Sequence, residues 1–483
     1  MSAEPAAAPP PQQAALALRS AGGRWLMLVT VLGSGMAFLD GTIVNVAVPA
    51  IGRDFHASTS SLQWILSGYL LALASLILLG GSLGDRFGRR RVFVLGAGVF
   101  SSASLLCALA PGAGWLVAAR LVQGVGGALL TPGSLAMIEA SVRREDRARA
   151  IGAWSGMTGV ATALGPLLGG YLIGAVSWRA AFVINVPLGA LVLWAARKVP
   201  ETRDAQMGGR VDVGGAALAA LALAASTYAL IEAQQASAGV VAAGGAVAAA
   251  AGAAFVAWER RSASPMLPLA IFSRAFAAAN VITFVVYAAL GGVFFLLVAF
   301  LQIALGYSPL AAGAASLPVT LLMLCLSSSS GALAQRIGPR VPLTAGPVVI
   351  AAGMLLMTRI GPGDGYVGSV LPAVVVFGAG LTLVVSPVTA TVLAAVSDRY
   401  AGIASGTNNA VARVAGLLAV ALLPLLAGLG GHRFYERAAM THGFHVAMLA
   451  CAGLALAGAG LAFATIDPNA LAGADETAAR PVA

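Results

Sequence analysis

Charge is what this sequence has least of. Asp, Glu, Lys and Arg make up 10% of the 483 residues, against roughly 25% in a water-soluble domain, so a soluble fold is excluded. Lysine is almost missing, since Lys198 is the single one among 28 basic residues. The net charge of +10 is therefore arginine charge. It lies in short loops between apolar runs rather than on one basic face, which argues against a nucleic-acid partner. Cysteine is scarce, and Cys107, Cys325 and Cys451 are scattered without metal-ligand spacing and read as small core residues. The four histidines, His56, His432, His442 and His445, fall in or beside loops of one side and form no HxxxH pair. No nucleophile, acid cluster or metal set stands at an interface, so the expectation is a protein that is not an enzyme and takes neither metal nor cofactor. No added soluble domain is present for a transporter-like sensor.

What the chain has instead is apolar length. Hydrophobic residues make up 59%, mean hydropathy is +0.90, and fourteen membrane-crossing helices of about 20 residues would use nearly all of them. Apolar runs bounded by Arg, Gly and Pro fall at 25–50, 62–83, 92–110, 114–139, 150–173, 179–197, 213–233, 238–258, 277–302, 308–334, 341–359, 367–396, 402–429 and 444–465. Residues 1–22, rich in Ala, Pro and Gln, read as a disordered tail, and 467–483 as a second tail. A cleaved signal peptide does not fit, because the first apolar stretch is too long and no small-residue cleavage site follows.

Orientation follows from the arginines, because cytoplasmic loops keep an excess of basic residues. With the N-terminus inside, cytoplasmic segments carry 21 basic residues and the opposite loops 5, leaving Arg120 and Arg413 within spans. Both termini are thus expected in the cytoplasm of a multi-pass plasma-membrane protein. The run Gly81-Ser82-Leu83-Gly84-Asp85-Arg86-Phe87-Gly88-Arg89-Arg90 reappears 250 residues later as Gly331-Ala332-Leu333-Ala334-Gln335-Arg336-Ile337-Gly338-Pro339-Arg340. The expected organisation is therefore an all-α integral membrane protein of two halves, 23–200 and 275–466. Each has six spans, and a two-helix hairpin with charged linkers at 201–274 is inserted between them. Repeats of this kind hold substrate between the halves near the midplane.

The Gly81 to Arg91 segment resembles the signature loop of the major facilitator superfamily. With fourteen spans the chain is similar to that superfamily's drug:proton antiporter branch. Leu39-Asp40-Gly41-Thr42 through Pro49, Arg120-Leu121-Val122-Gln123-Gly124, and Gly156 to Gly165-Pro166-Leu167-Leu168-Gly169-Gly170 resemble its first-, fourth- and fifth-span motifs. Trp178-Arg179 through Asn185-Val186-Pro187, Leu301-Gln302 with Gly306-Tyr307-Ser308, and Gly402 to Arg413 match further. The resemblance, over about residues 25–465, implies export of amphipathic drugs or natural products in exchange for protons. An importer of a small metabolite is the alternative. The bilayer and a small-molecule substrate are the expected partners, and protein partners are not readable.

Asp40 stands about 15 residues into the first span, roughly 22 Å deep at 1.5 Å per residue. An embedded carboxylate is costly and reads as functional. It is expected to be a protonation site reachable by substrate, or else a carboxylate that only fixes helix packing. Arg120 reaches similar depth on the fourth span, and Gln123, Gly127, Thr131 and Ser134 continue its face as a stripe suited to a water-filled cavity. The resemblance implies that this arginine tunes the coupling acid. In the fifth span, Gly156, Gly165, Gly169 and Gly170 permit close helix approach and Pro166 a bend. By resemblance they seal the halves against leakage, although ordinary membrane-helix packing explains them as well. Gly81, Asp85, Arg86, Gly88, Arg89 and Arg90 are by resemblance the cytoplasmic gate, with Asp85 accepting from amides at a helix start. The second copy has Gln335, which puts a symmetric latch in doubt. Gln123, Thr131, Asn280, Tyr287, Phe294, Thr382 and Arg413 are candidates for lining a substrate cavity. Arg413 either contacts substrate or is satisfied by backbone carbonyls. Glu139 and Glu232 read as solvated or snorkelling positions near span ends. The tenth span has no carboxylate, which argues against a specialist in dications.

Overall fold

A computed structural model describes residues 16–203, 211–233, 235–397 and 400–471. Regular structure there is helical: α1 (Ala21–Phe55), α2 (Thr59–Phe87), α3 (Arg89–Ala108), α4 (Ala113–Ser141), α5 (Arg144–Ala175), α6 (Ala180–Val183), α7 (Asn185–Ala196), α8 (Val213–Glu232), α9 (Ala238–Arg261), α10 (Arg274–Ile303), α11 (Pro309–Ala315), α12 (Leu317–Ile337), α13 (Arg340–Met357), α14 (Leu371–Ala394), α15 (Ala401–Leu426) and α16 (Arg437–Thr465). Thirteen stretches are long and apolar enough to span a membrane, and Ala180–Ala196 supplies the fourteenth.

Proline sets the breaks inside two of these spans. Pro187 has no N–H to donate to Val183, four residues back, and the sixth span divides there into α6 and α7. Pro318 does the same to Ala314 between α11 and α12. Pro309 opens α11 behind Ser308, whose hydroxyl accepts from the Ala311 amide at 3.2 Å.

The halves repeat one packing plan. In the first, α4 packs on α2 and α3, and α1 on α5; in the second, α14 packs on α12 and α13, and α10 on α15. Two glycine pairs at the 250-residue offset make the repeat physical. A Cβ on Gly96 would stand 2.8 Å from the Leu130 amide of α4, and one on Gly346 would stand 3.1 Å from the Gly380 carbonyl of α14. Gly88 and Gly338 turn the chain at φ 112° and 83°, a region that L side chains rarely adopt. Between the halves, α8 lies against both α2 and α15, and α9 packs on α8.

The N-terminal tail departs from expectation. Residues 16–22 are ordered: the Leu16 amide donates to Ser141 at 2.7 Å, the Arg143 amide donates to Leu16 at 3.0 Å, and Ser20 caps α1. Leu16 and Leu18 have apolar side chains to bury, which the surrounding Ala and Pro concealed. The expected tails at 1–15 and 472–483, and the linker stretch 204–210, lie outside the described residues.

Hydrogen bonds between the halves gather at one end, opposite the starts of α1 and α10, here called the distal end. The Gln63 amide donates to Val420 and Ala421, both at 2.9 Å, Gln302 to Val46 at 3.1 Å, Thr59 to Gly431 at 3.0 Å and Tyr435 to Ala57 at 2.9 Å. Among the described residues no such bond joins the halves at the proximal end. There Ser155, Gly156 and Met157 of α5 are exposed, as are Cys325 and Leu326 of α12.

Candidate functional site

A carboxylate midway along an apolar helix has to find its partners inside the bundle. Asp40 is fully buried and finds three. Arg120 Nη1 of α4 reaches its Oδ2 at 2.5 Å, while Gln123 Nε2 and Asn185 Nδ2 donate to Oδ1 at 2.7 and 3.1 Å. Arg120 is held in turn: Nε donates to the Ile65 carbonyl of α2 at 3.1 Å and Nη1 to Gln123 Oε1 at 2.7 Å. Its guanidinium lies over Tyr69 at 4.4 Å and near Phe182 at 5.8 Å. Gln123 also donates to Ser104 of α3 at 2.8 Å and accepts from Cys107 at 3.7 Å. The network thus draws on most helices of the first half and is neutral as a whole. Inside a low-dielectric interior such a pair persists only with good geometry and satisfied partners, and these contacts supply both.

This geometry corrects two expectations. Asp40 does not face a space that substrate can reach, because it is sealed within the first half. The polar stripe of α4 does not line a water-filled cavity either: Gln123 belongs to the charge network, Gly127 lies against the Tyr69 hydroxyl, and Thr131 and Ser134 are buried without hydrogen-bond partners. Asn185 and Ser104 had no assigned role in the sequence reading, since only tertiary packing brings them to Asp40. The break before α7 places Asn185, and it was visible as Pro187.

In the second half the 250-residue offset puts Leu290, Val370 and Ala373 where the first has Asp40, Arg120 and Gln123, and the polar cluster that is buried lies nearer the start of α10 and is uncharged. Asn408 of α15 donates to Thr283 at 2.7 Å and to Asn280 at 3.3 Å, and Asn280 donates to the Phe276 carbonyl. Thr382 bonds the Gly378 carbonyl at 2.9 Å. Asn280 and Thr382 are therefore internal to this half. Tyr287, Phe294 and Arg413 remain half-buried, with Phe294 edge-on to Phe377. Arg413 extends toward the first half, 5.5 Å from the ring of Phe38 on α1. A Cβ on Gly41, one turn along α1, would meet nothing within 4 Å, so the surface beside Phe38 is open.

The motif glycines of α5 divide. Cβ atoms at Gly165 and Gly169 would press on Thr42 and on Ile43 of α1, and one at Gly170 on Leu310 of α11 at 2.5 Å. Gly313 of α11 packs on the Pro166 carbonyl, so this end of α5 holds the two halves in distal contact. Gly156 has no neighbour within 4 Å and mediates no close approach.

At the proximal end, Asp85 lies in the last turn of α2 rather than in a loop, and it accepts from Arg89 Nε at 2.8 Å. The amide at the start of α3 bonds a different acid: Arg90 N donates to Glu201 Oε1 at 3.0 Å. Glu201 also draws Arg90 and Arg91 to 3.6 and 3.7 Å. Arg89 N donates to the Thr202 carbonyl at 2.8 Å, a Cβ on Gly81 would stand 3.7 Å from Pro132, and Arg86 is exposed. These named bonds stay within the first half. In the repeated loop Arg340 lies over Phe463 at 4.2 Å, and among the described residues no ion pair forms there.

Two further acids anchor the hairpin. Glu232 of α8, expected to be solvated, accepts from Ser60 at 2.8 Å and Trp64 at 3.0 Å on α2. At its other end Asp212 caps α8. Burial opposes its charge, but donation from Gly215 N at 2.8 Å and Trp258 Nε1 at 2.7 Å outweighs that and holds the carboxyl below its usual range. Among the described residues no group of His, Cys, Asp or Glu could hold a metal ion.

A model of the Major Facilitator Superfamily matches residues 30–420. The chain is 35% identical over 475 residues to the puromycin resistance protein pur8 of Streptomyces alboniger, covering 95% of this chain and 94% of that one. It is 36% identical over 403 residues to the multidrug resistance protein Stp of Mycobacterium tuberculosis, covering 82% and 74%. Its fold is similar to that of a bacterial homolog of the human lysosomal transporter Spinster in an inward-facing and unoccupied conformation, with a TM-score of 0.65, 16% identity and coverage of 93% and 98%.

Proposed function

Given that this chain belongs to the Major Facilitator Superfamily, and so is a membrane transport protein rather than an enzyme, we propose that it exports small amphipathic drugs or natural products by alternating access in exchange for protons. The named activities of its relatives, puromycin resistance and multidrug resistance, support export over import. One observation carries the coupling: Asp40, the only mid-span carboxylate among the described residues, is paired with Arg120 inside the first half at 2.5 Å. A proton that joins Asp40 removes one charge of the pair. The cationic Arg120 is then left with Gln123 and a carbonyl, and the packing of α1 against α4 has a reason to change.

The conformation fits the loading stage of that cycle. The distal end is closed by hydrogen bonds between the halves, whereas farther toward the proximal end Ser155, Gly156 and Met157 of α5 and Cys325 and Leu326 of α12 are exposed. The 21-to-5 bias of basic residues supports a cytoplasmic proximal end, so that the cleft takes up its cargo there for passage across the plasma membrane. One proton driven inward by ~150 mV contributes about 3.5 kcal/mol, enough for roughly a 300-fold gradient of a neutral solute. Asp40→Asn keeps the shape but replaces one acceptor oxygen by an NH2 donor, and it carries no exchangeable charge. In proteoliposomes the variant is expected to bind dye cargo and to lose uphill transport driven by a pH gradient. Undiminished uphill transport would move the coupling role to another group.

A further inference from the structure

Two arginines stand within the spans, and their surroundings differ. Arg120 is buried against Asp40, with every contact inside its own half. Arg413 is half-buried on the face of α15 that looks across to α1, and among the described residues it has no hydrogen bond and no ion pair. Among the described residues no carboxylate pairs with it: the acids other than Asp40 lie in loops or near helix ends, and Asp40 is already occupied by Arg120. Asn409, one turn before Arg413, is also half-buried, as is Tyr287 of α10, and neither side chain has a hydrogen bond among the described residues. Phe38 offers a ring face beside it at 5.5 Å, and the α1 surface at Gly41 is open.

A cation inside a membrane protein is costly unless it meets an anion, carbonyls or water. This one holds a fork of five donors toward the space between the halves, with unused amide and hydroxyl groups near it. We infer that Arg413 is the specificity-determining residue for cargo bearing a negative charge. An aromatic organic anion, carboxylate or phenolate, pairs with the guanidinium while its ring packs on Phe38 and Tyr287. The inference rests on the export reading for its biological sense but not for its chemistry. An anion leaving and a proton entering both move with an inside-negative potential, so such cargo would be driven twice.

The test uses two dyes sharing one ring system, the anionic fluorescein and the cationic rhodamine 123, titrated by fluorescence anisotropy against the full chain in nanodiscs. The wild-type protein is expected to bind fluorescein more tightly than rhodamine 123. Arg413→Gln should weaken fluorescein at least tenfold while rhodamine 123 holds or tightens, and Arg413→Lys should restore part of the loss. A wild-type preference for rhodamine 123 would overturn the inference, and so would equal weakening of both dyes in folded Arg413→Gln. Binding and transport are read separately. A protein that binds fluorescein through Arg413 yet moves no dye against a gradient would sink the export reading alone. One that exports rhodamine 123 while Arg413→Gln binds fluorescein unchanged would sink this inference alone.

Discussion

The two halves of this molecule share a packing plan and differ in what they bury. At the core of the first is a charged network of Asp40, Arg120, Gln123, Asn185 and Ser104; the second has apolar Leu290 and Val370 at the matching positions and buries a neutral cluster of Asn280, Thr283 and Asn408 nearer the start of α10. Symmetry in the backbone therefore does not extend to electrostatics. A neutral cluster costs little to bury and has nothing to gain from a proton. A charged pair is held by strict geometry and changes character when one partner is neutralised. On the reading proposed above the halves divide the work: the first would respond to a proton, and the second presents Arg413, without an ion pair among the described residues, toward the first half.

Three substitutions would break or sharpen this contrast. The largest effect is expected for Arg120→Ala, which leaves Asp40 buried without its counter-charge and should cost about 3–5 kcal/mol. A drop in thermal midpoint with loss of pH-driven transport would show it, and an unchanged midpoint would mean that the pair contributes nothing. Asn185→Ala removes one donor to a charged acceptor, worth about 1.5–3 kcal/mol, and should alter the pH profile of transport while substrate binding persists. A lower midpoint with an unaltered profile would make Asn185 purely structural. Asn408→Ala is expected to be the mildest, about 0.5–1.5 kcal/mol for neutral hydrogen bonds, with the pH profile retained. If it disturbs coupling as much as Asn185→Ala, the halves are not divided in this way.

Much of the fold was legible because a bilayer imposes so simple a rule on composition. All fourteen apolar runs became spans, and the 250-residue repeat reappeared as matched glycines at 88 and 338 and at 96 and 346. The depth of Asp40 and Arg120 along their helices could be counted from the sequence. Their seclusion could not, because which way a polar stripe faces depends on how the helices are rotated against one another. Gln123 turned to Asp40 and Thr131 to an internal packing surface for that reason. Glu201 was missed because it lies 111 residues from Arg90 and meets it only when the end of α7 folds back beneath the α2–α3 turn. Glu232 sits at a span end, where solvation is the ordinary reading, and the two donors on α2 became visible only with the helices assembled.

The hairpin of α8 and α9 bears on how a lipid-soluble molecule arrives. Helix α8 covers the seam between α2 and α15, fastened to α2 through Glu232. Among the described residues the opposite seam, between α5 and α12, has no such cover, and exposed Met157 and Leu326 stand beside it. On the export reading proposed above, a compound dissolved among the acyl chains would meet a wall on one flank and an apolar edge on the other.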